Sequence, residues 1–84
     1  MTKIVRLELD VLKPNNLAII DMARSLAEVK GILEVDIFVK EIEKEVEKVR
    51  VTILGKSLDA ELIFKTIESL GCAIHNIDRV VVGR

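Results

Sequence analysis

The sequence predicts a single α+β domain built in the order strand, helix, strand, strand, helix, strand. Three observations carry that reading. Three stretches alternate charged and apolar residues with a period of two, as half-buried strands do, and a fourth, Ala73 to Val82, is rich in β-branched residues. Two others place their apolar residues at helical spacing. Both helical stretches then run into a glycine, Gly31 and Gly71, where a left-handed C-terminal residue belongs.

The first strand spans Lys3 to Leu12, with Val5, Leu7, Leu9 and Val11 on one side and Arg6, Glu8 and Asp10 on the other. Lys13-Pro14-Asn15-Asn16 should end it, because proline cannot donate to a ladder and asparagine is a good helix N-cap. From Leu17 to Val29 the stripe Ile19, Met22, Ala23, Leu26, Val29 reads as a helix. Alternation returns from Ile32 to Lys40, where Val35, Ile37 and Val39 oppose Asp36, Phe38 and Lys40. A charged connector, Glu41 to Glu47, leads to a third strand from Lys48 to Leu54. The two should pair as a hairpin, although the connector holds no Asn-Gly or Asp-Gly turn. Asp59 or Ser57 should cap a second helix carrying Ala60, Ile63, Phe64, Ile67 and Leu70, and Ala73 to Val82 forms the last strand.

This order is a split pair of βαβ units. Right-handed crossovers then give an antiparallel sheet ordered 4-1-3-2 with both helices on one face, a ferredoxin-like sandwich. The other face must meet water or another subunit. Arg6, Glu8, Asp10, Asp36, Lys40, Lys48 and Arg50 fall there and suggest cross-strand ion pairs, while Phe38 and Leu54 are out of place beside them. Val80-Val81-Val82 is apolar on both sides of its strand. With only two aromatic residues, both Phe, in a chain of 84, the core is modest, and a shared interface would add burial. A homo-oligomer is expected.

Composition excludes several classes. A formal net charge of −1, with no basic block and no Tyr or Trp, disfavours nucleic-acid binding. The single cysteine, Cys72, rules out an internal disulfide or a thiolate metal cluster. No apolar run approaches a membrane span, and the N-terminus shows no signal-peptide core, so a soluble, cytoplasmic protein is expected. Abundant Glu and Lys with no Gln lean towards a thermophilic source.

Leu9-Asp10-Val11-Leu12-Lys13-Pro14 near the start and Gly71-Cys72-Ala73-Ile74-His75-Asn76-Ile77-Asp78 near the end resemble an archaeal family of uncharacterised proteins, domain of unknown function two hundred and eleven. Asn76 stands where that family usually has serine, and Cys72 where a second glycine is common. The resemblance covers essentially the whole chain. It implies a ferredoxin-like fold, ring-like self-association and divalent-cation binding, and it implies no reaction.

Among residues that could carry chemistry, Asp10 and Asp78 matter most. Strands one and four are antiparallel neighbours, so the two carboxylates can approach along their seam. Close carboxylates repel unless a cation, a lysine or a shared proton lies between them. One reading is a Ca²⁺ or Mg²⁺ site with Asp10 and Asp78 as ligands. The plainer one has Asp10 capping a strand end near Lys13 and Asp78 paired with Arg6 or Arg79. Glu41, Glu43, Glu45 and Glu47 would share one edge if the connector were a regular strand, but Lys40, Lys44 and Lys48 are interleaved with them, and a solvated hairpin tip is the favoured reading. His75, the lone histidine, reads as a structural hydrogen-bonder, and Cys72 as a buried packing residue. Gly55-Lys56-Ser57 resembles the end of a phosphate-binding loop but lacks its upstream glycine.

These features point to a non-enzymatic, self-assembling domain that binds divalent cations. The alternative is a small-molecule-sensing domain similar to amino-acid-binding modules of this fold, suggested by Val29-Lys30-Gly31-Ile32. An acylphosphatase-like hydrolase would want an arginine after the first strand, where this chain has Lys13-Pro14-Asn15-Asn16.

Overall fold

A computed structural model describes residues 2–84. Its elements are β1 (Lys3–Pro14), α1 (Ile19–Ala27), β2 (Ile32–Ile42), β3 (Val46–Gly55), α2 (Ala60–Ser69) and β4 (Ala73–Gly83). The strands form one antiparallel sheet ordered β2-β3-β1-β4, which is the expected 4-1-3-2 order counted from the other edge. The architecture is the α+β, ferredoxin-like βαββαβ sandwich.

The core lies where the apolar sides of the two central strands meet the helices. Leu7, Leu9 and Val11 of β1 and Val49, Val51 and Ile53 of β3 are buried together with Met22 and Leu26 of α1 and Ile63 and Ile67 of α2. Strand and helix lengths are mismatched. Helices of 9 and 10 residues reach about 15 Å, whereas strands of 10–12 residues reach about 33–40 Å. The sheet therefore projects past its helical cover, and apolar side chains near its ends, such as Ile42 and Val82, stay exposed.

Three local expectations are corrected. Lys13 does not end β1. It pairs with Glu47 in the ladder and points into the core, where it is 1 % exposed. Its ammonium meets the Glu47 carboxylate at 3.2 Å and donates to the carbonyls of Pro14, at 3.0 Å, and Leu17. Its three donors are thus satisfied, which makes burial tolerable. Second, the asparagines do not cap α1, whose N-cap is Ala18 with no side-chain hydrogen bond. The Asn15 side chain instead donates to the Lys44 carbonyl at 2.9 Å and to that of Glu43, while its backbone N–H donates to Glu45 at 3.2 Å. These bonds fasten the tip of the β2–β3 hairpin, which projects beyond the helices. Third, that hairpin is longer than alternation suggested. Its turn is only Glu43-Lys44-Glu45, closed by a bond from the Glu43 N–H to the Val46 carbonyl at 2.9 Å.

The second helix follows its sequence signals. Asp59 accepts from the Leu62 N–H at 3.1 Å. At the other end Gly71 has φ +86°, with bonds from Gly71 N–H to Glu68 and Cys72 N–H to Ile67. That pair of bonds is a Schellman motif. Gly55, the residue that suggested a phosphate loop, is a packing glycine: a Cβ there would lie 2.3 Å from the Gly31 carbonyl oxygen.

Candidate functional site

The helix-free face of the sheet carries the charged residues that alternation assigned to it, and two edge strands modify it with bulges. In β4, Glu8 pairs with Arg79 and Leu9 with Ile77, so Asp78 has no partner on β1. Asp10 pairs with Asn76 and Val11 with Ile74, so His75 is likewise an extra residue. In β2, Val39 pairs with Val49 and Glu41 with Lys48, which makes Lys40 the extra residue. A bulge re-aims side chains relative to strict alternation. The sequence holds a signal for each. Ile74, Ile77 and Val80 are spaced by three, as are Val39 and Ile42, and one face of a strand can hold such a spacing only if a residue is inserted.

Asp10 and Asp78 do come together, with Arg50 of β3 between them. Arg50 Nε lies 3.2 Å from Asp10 Oδ1, and Arg50 Nη2 lies 3.1 Å from Asp78 Oδ2. Lys40 Nζ adds a second hydrogen bond to Asp10 Oδ1 at 3.2 Å, and Asn76 Nδ2 donates to Asp78 Oδ1 at 2.6 Å. Glu8 continues the lattice, held by Arg6 at 2.8 Å and approached by Arg50 at 3.7 Å and Arg79 at 3.6 Å. Neither plain pairing foreseen for the aspartates occurs: Lys13 lies on the opposite face from Asp10, and Asp78 takes Arg50 rather than Arg6 or Arg79.

The electrostatics follow from this arrangement. Burial pushes the Asp10 carboxyl up, but hydrogen bonds from Lys40 and Arg50, a contribution from neighbouring Asp78 and the charge of Lys40 outweigh it. Asp10 is held below its ordinary value. Guanidinium is suited to this position because its fan of donors can serve two carboxylates at once. Among the described residues, no cluster of three or more His, Cys, Asp or Glu side chains is disposed to hold a metal.

At the hairpin end of the same face lies a cavity of about 340 Å³ whose lining includes Asp10, Lys40, Glu41, Glu43, Lys48 and His75. His75 is exposed here. The four glutamates of the connector do not share an edge. The bulge sends Glu41 and Glu43 to Lys48, at 3.5 and 3.7 Å, while Glu47 turns to Lys13. Cys72 is buried in the core, and burial pushes its thiol up, with Lys13 opposing.

The β4 edge is different in character. Ile77 and Val80 stand opposite core residues Leu9 and Leu7, yet they are 46 % and 49 % exposed, whereas Ile74 at the start of the strand still packs against the core. Val81 and Val82 are exposed as well. At the opposite edge Leu33, Phe38 and Ile42 of β2 are exposed. Sequence reasoning singled out Phe38 and the valine run but missed Leu33 and Ile42, which alternation alone does not flag.

Fold and site together define a small ferredoxin-like α+β domain with a charge lattice on its open face and apolar sheet edges. No helix among the described residues is long and apolar enough to cross a membrane. The chain belongs to the uncharacterized archaeal family DUF211 (Uncharacterized ArCR), whose model matches residues 5–84. It is 50 % identical over 84 residues to the uncharacterized protein MJ0319 of Methanocaldococcus jannaschii, a match spanning 100 % of this chain and 87 % of that protein.

Proposed function

We propose that the protein is a non-enzymatic, self-assembling domain whose copies join edge to edge, β4 of one against β2 of the next. The observation that carries this reading is the exposed apolar run Val80-Val81-Val82 on a strand with a free edge. A free edge offers a row of unpaired backbone donors and acceptors, and proteins ordinarily blunt it with charge, proline or bulges. From Arg79 to Gly83, β4 has only Arg79 as such a device, and the one irregularity at this level falls on β1, at Val5.

A second copy is the fitting occupant because the chain itself supplies the complement. The β2 edge carries exposed Leu33, Phe38 and Ile42, together with Glu34 and Asp36, which join none of the ion pairs among the described residues. Arg79 on β4 is 61 % exposed and touches Glu8 only at 3.6 Å. Pairing β4 with itself would leave the β2 residues in water, whereas a head-to-tail contact covers both sets. Repeated head-to-tail contacts close into rings or run into filaments. Light scattering coupled to size exclusion is expected to give a closed oligomer of fixed mass. A strict monomer at micromolar concentration would rule the reading out.

A second reading rests on the meeting of Asp10 and Asp78. Two convergent carboxylates suit Ca²⁺ or Mg²⁺, which prefer oxygen ligands. A cation there has to displace Arg50 and take further oxygens from water or from acidic side chains of an adjoining copy. Titration calorimetry on the wild type and on Arg50→Met tests this: removing the guanidinium should tighten Ca²⁺ or Mg²⁺ binding. If neither protein gives a saturable signal with either ion, the cation reading fails while the assembly reading stands.

A further inference from the structure

We propose that the cavity on the open sheet face binds a free α-amino acid with an apolar side chain, taken up as a zwitterion. The cavity, about 340 Å³, lies in the range of small-molecule sites. Bulges on both edge strands fall at neighbouring levels of the sheet, next to Val11 and Val49, and each bulge residue, Lys40 on β2 and His75 on β4, lines this one cavity. Bulges recur where a fold re-aims side chains beside a functional site.

The ligand class follows from how the lining charges are partnered. Lys40 is committed, hydrogen-bonded to Asp10 at 3.2 Å. Lys48 is not: its ammonium stands 3.5 Å from Glu41 and 3.7 Å from Glu43, beyond the roughly 2.9 Å of a formed hydrogen bond. One ammonium thus hangs between two carboxylates without closing on either. A simple anion entering here meets Glu41, Glu43 and Asp10, and a simple cation meets Lys48 and Lys40. A molecule carrying adjacent charges of both signs converts the loose triad into direct bonds. Its carboxylate accepts from Lys48, and its ammonium donates to Glu41 and Glu43. Leu12 and Val46 supply apolar lining for its side chain, and His75 closes the β4 side.

This inference does not depend on assembly. Amide NMR of the intact ¹⁵N-labelled protein, titrated with leucine, acetate and isoamylamine, tests it. Leucine should shift the amides of Lys40, Glu41, Lys48 and His75 saturably, and at least about tenfold more tightly than either single-charge probe. Lys48→Met, or Glu43→Gln should the first variant lose its dispersed spectrum, should abolish the saturable shifts. Lys65→Met, which alters only the Glu61 pair on α2, should leave them intact. The proposal is overturned if leucine gives no saturable shift up to roughly 20 mM, if acetate or the amine binds equally well, or if the shifts map elsewhere.

Discussion

The two edges of this sheet are built to opposite rules. β2 carries Glu34, Asp36, Lys40 and Glu41 along its free side and is bulged at Leu33 and Lys40. β4 is bulged and polar only in its first half, through His75, Asn76 and Asp78, and then runs regular and apolar to Val82. Among its charges β2 keeps Leu33, Phe38 and Ile42 exposed, so it differs from β4 in carrying the acidic complement to Arg79 as well as apolar surface. The asymmetry gives the molecule a direction, and direction is what a head-to-tail contact requires.

The largest effect should come from removing that asymmetry. Val80→Lys with Val82→Lys gives β4 the charged edge that proteins use to stay apart. Both side chains are about half exposed in the single chain, so the fold should survive and its circular dichroism should not change. Burying unpaired ammoniums at an interface costs several kcal/mol, so dissociation should rise by more than about 100-fold. Light scattering should then give a monomer. An unchanged mass for the double variant would move the contact away from β4.

A smaller effect should come from the complementary edge. Glu34→Lys with Asp36→Lys sets like charges against Arg79 and should weaken association roughly tenfold, more at low salt than at high. Adding Arg79→Glu should restore most of the loss. If the reversal at β2 leaves assembly untouched, β4 pairs with something other than β2, and β4–β4 pairing becomes the test case.

Much of this could be read from residues, and the limit has a physical form. Alternation placed Arg6, Glu8, Asp10, Lys48 and Arg50 on one face because a strand's side-chain period is two wherever the ladder is regular. The same rule fails at each inserted residue. It could not place the turn inside the Glu41–Glu47 connector, and it could not say that Asp78 and His75 leave the ladder. The meeting of Asp10 with Asp78 was legible from topology. Arg50 as the group between them was not, since it comes from β3 and depends on the register of three strands at once. Lys13 was misread for a different reason. A lysine before a proline looks like a strand end, and only the fold shows carbonyls and Glu47 waiting in the core to receive its ammonium.

Arg50 also separates the two halves of β4. It links β3 to Asp10 on β1 and to the bulge residue Asp78, so it pins the polar half of the edge strand to the sheet. Among the described residues no ion pair ties Val80, Val81 or Val82 to the sheet. Arg50→Met should cost about 1–3 kcal/mol of stability, the scale of losing hydrogen bonds to charged groups. Denaturant unfolding measures it. Hydrogen exchange should rise first at Asn76 to Asp78. A uniform rise along β4 would mean that Arg50 acts on the whole sheet rather than on one half of its edge.

The last effect is the smallest and depends on pH. Asp10 is held below its ordinary value, mainly because hydrogen bonds from Lys40 and Arg50 outweigh the burial that pushes it up. A carboxyl with a depressed folded pKa adds stability above its unfolded pKa, about 3.9, and loses it as pH falls through the folded value. The wild type should therefore lose stability on acidification below about pH 4. Asp10→Asn should start less stable at neutral pH, because the amide answers two cations poorly, and should then lose less on the way down. The cost of Arg50→Met should shrink over the same interval, since protonated Asp10 no longer needs the guanidinium beside it. The valine half of β4 carries no titrating group between Arg79 and Val82, so its exchange rates, corrected for intrinsic pH dependence, should follow only the global change. If Asp10→Asn and the wild type lose stability in parallel from pH 6 to pH 3, acid acts through other carboxylates, and the polar half of the edge is not held by Asp10.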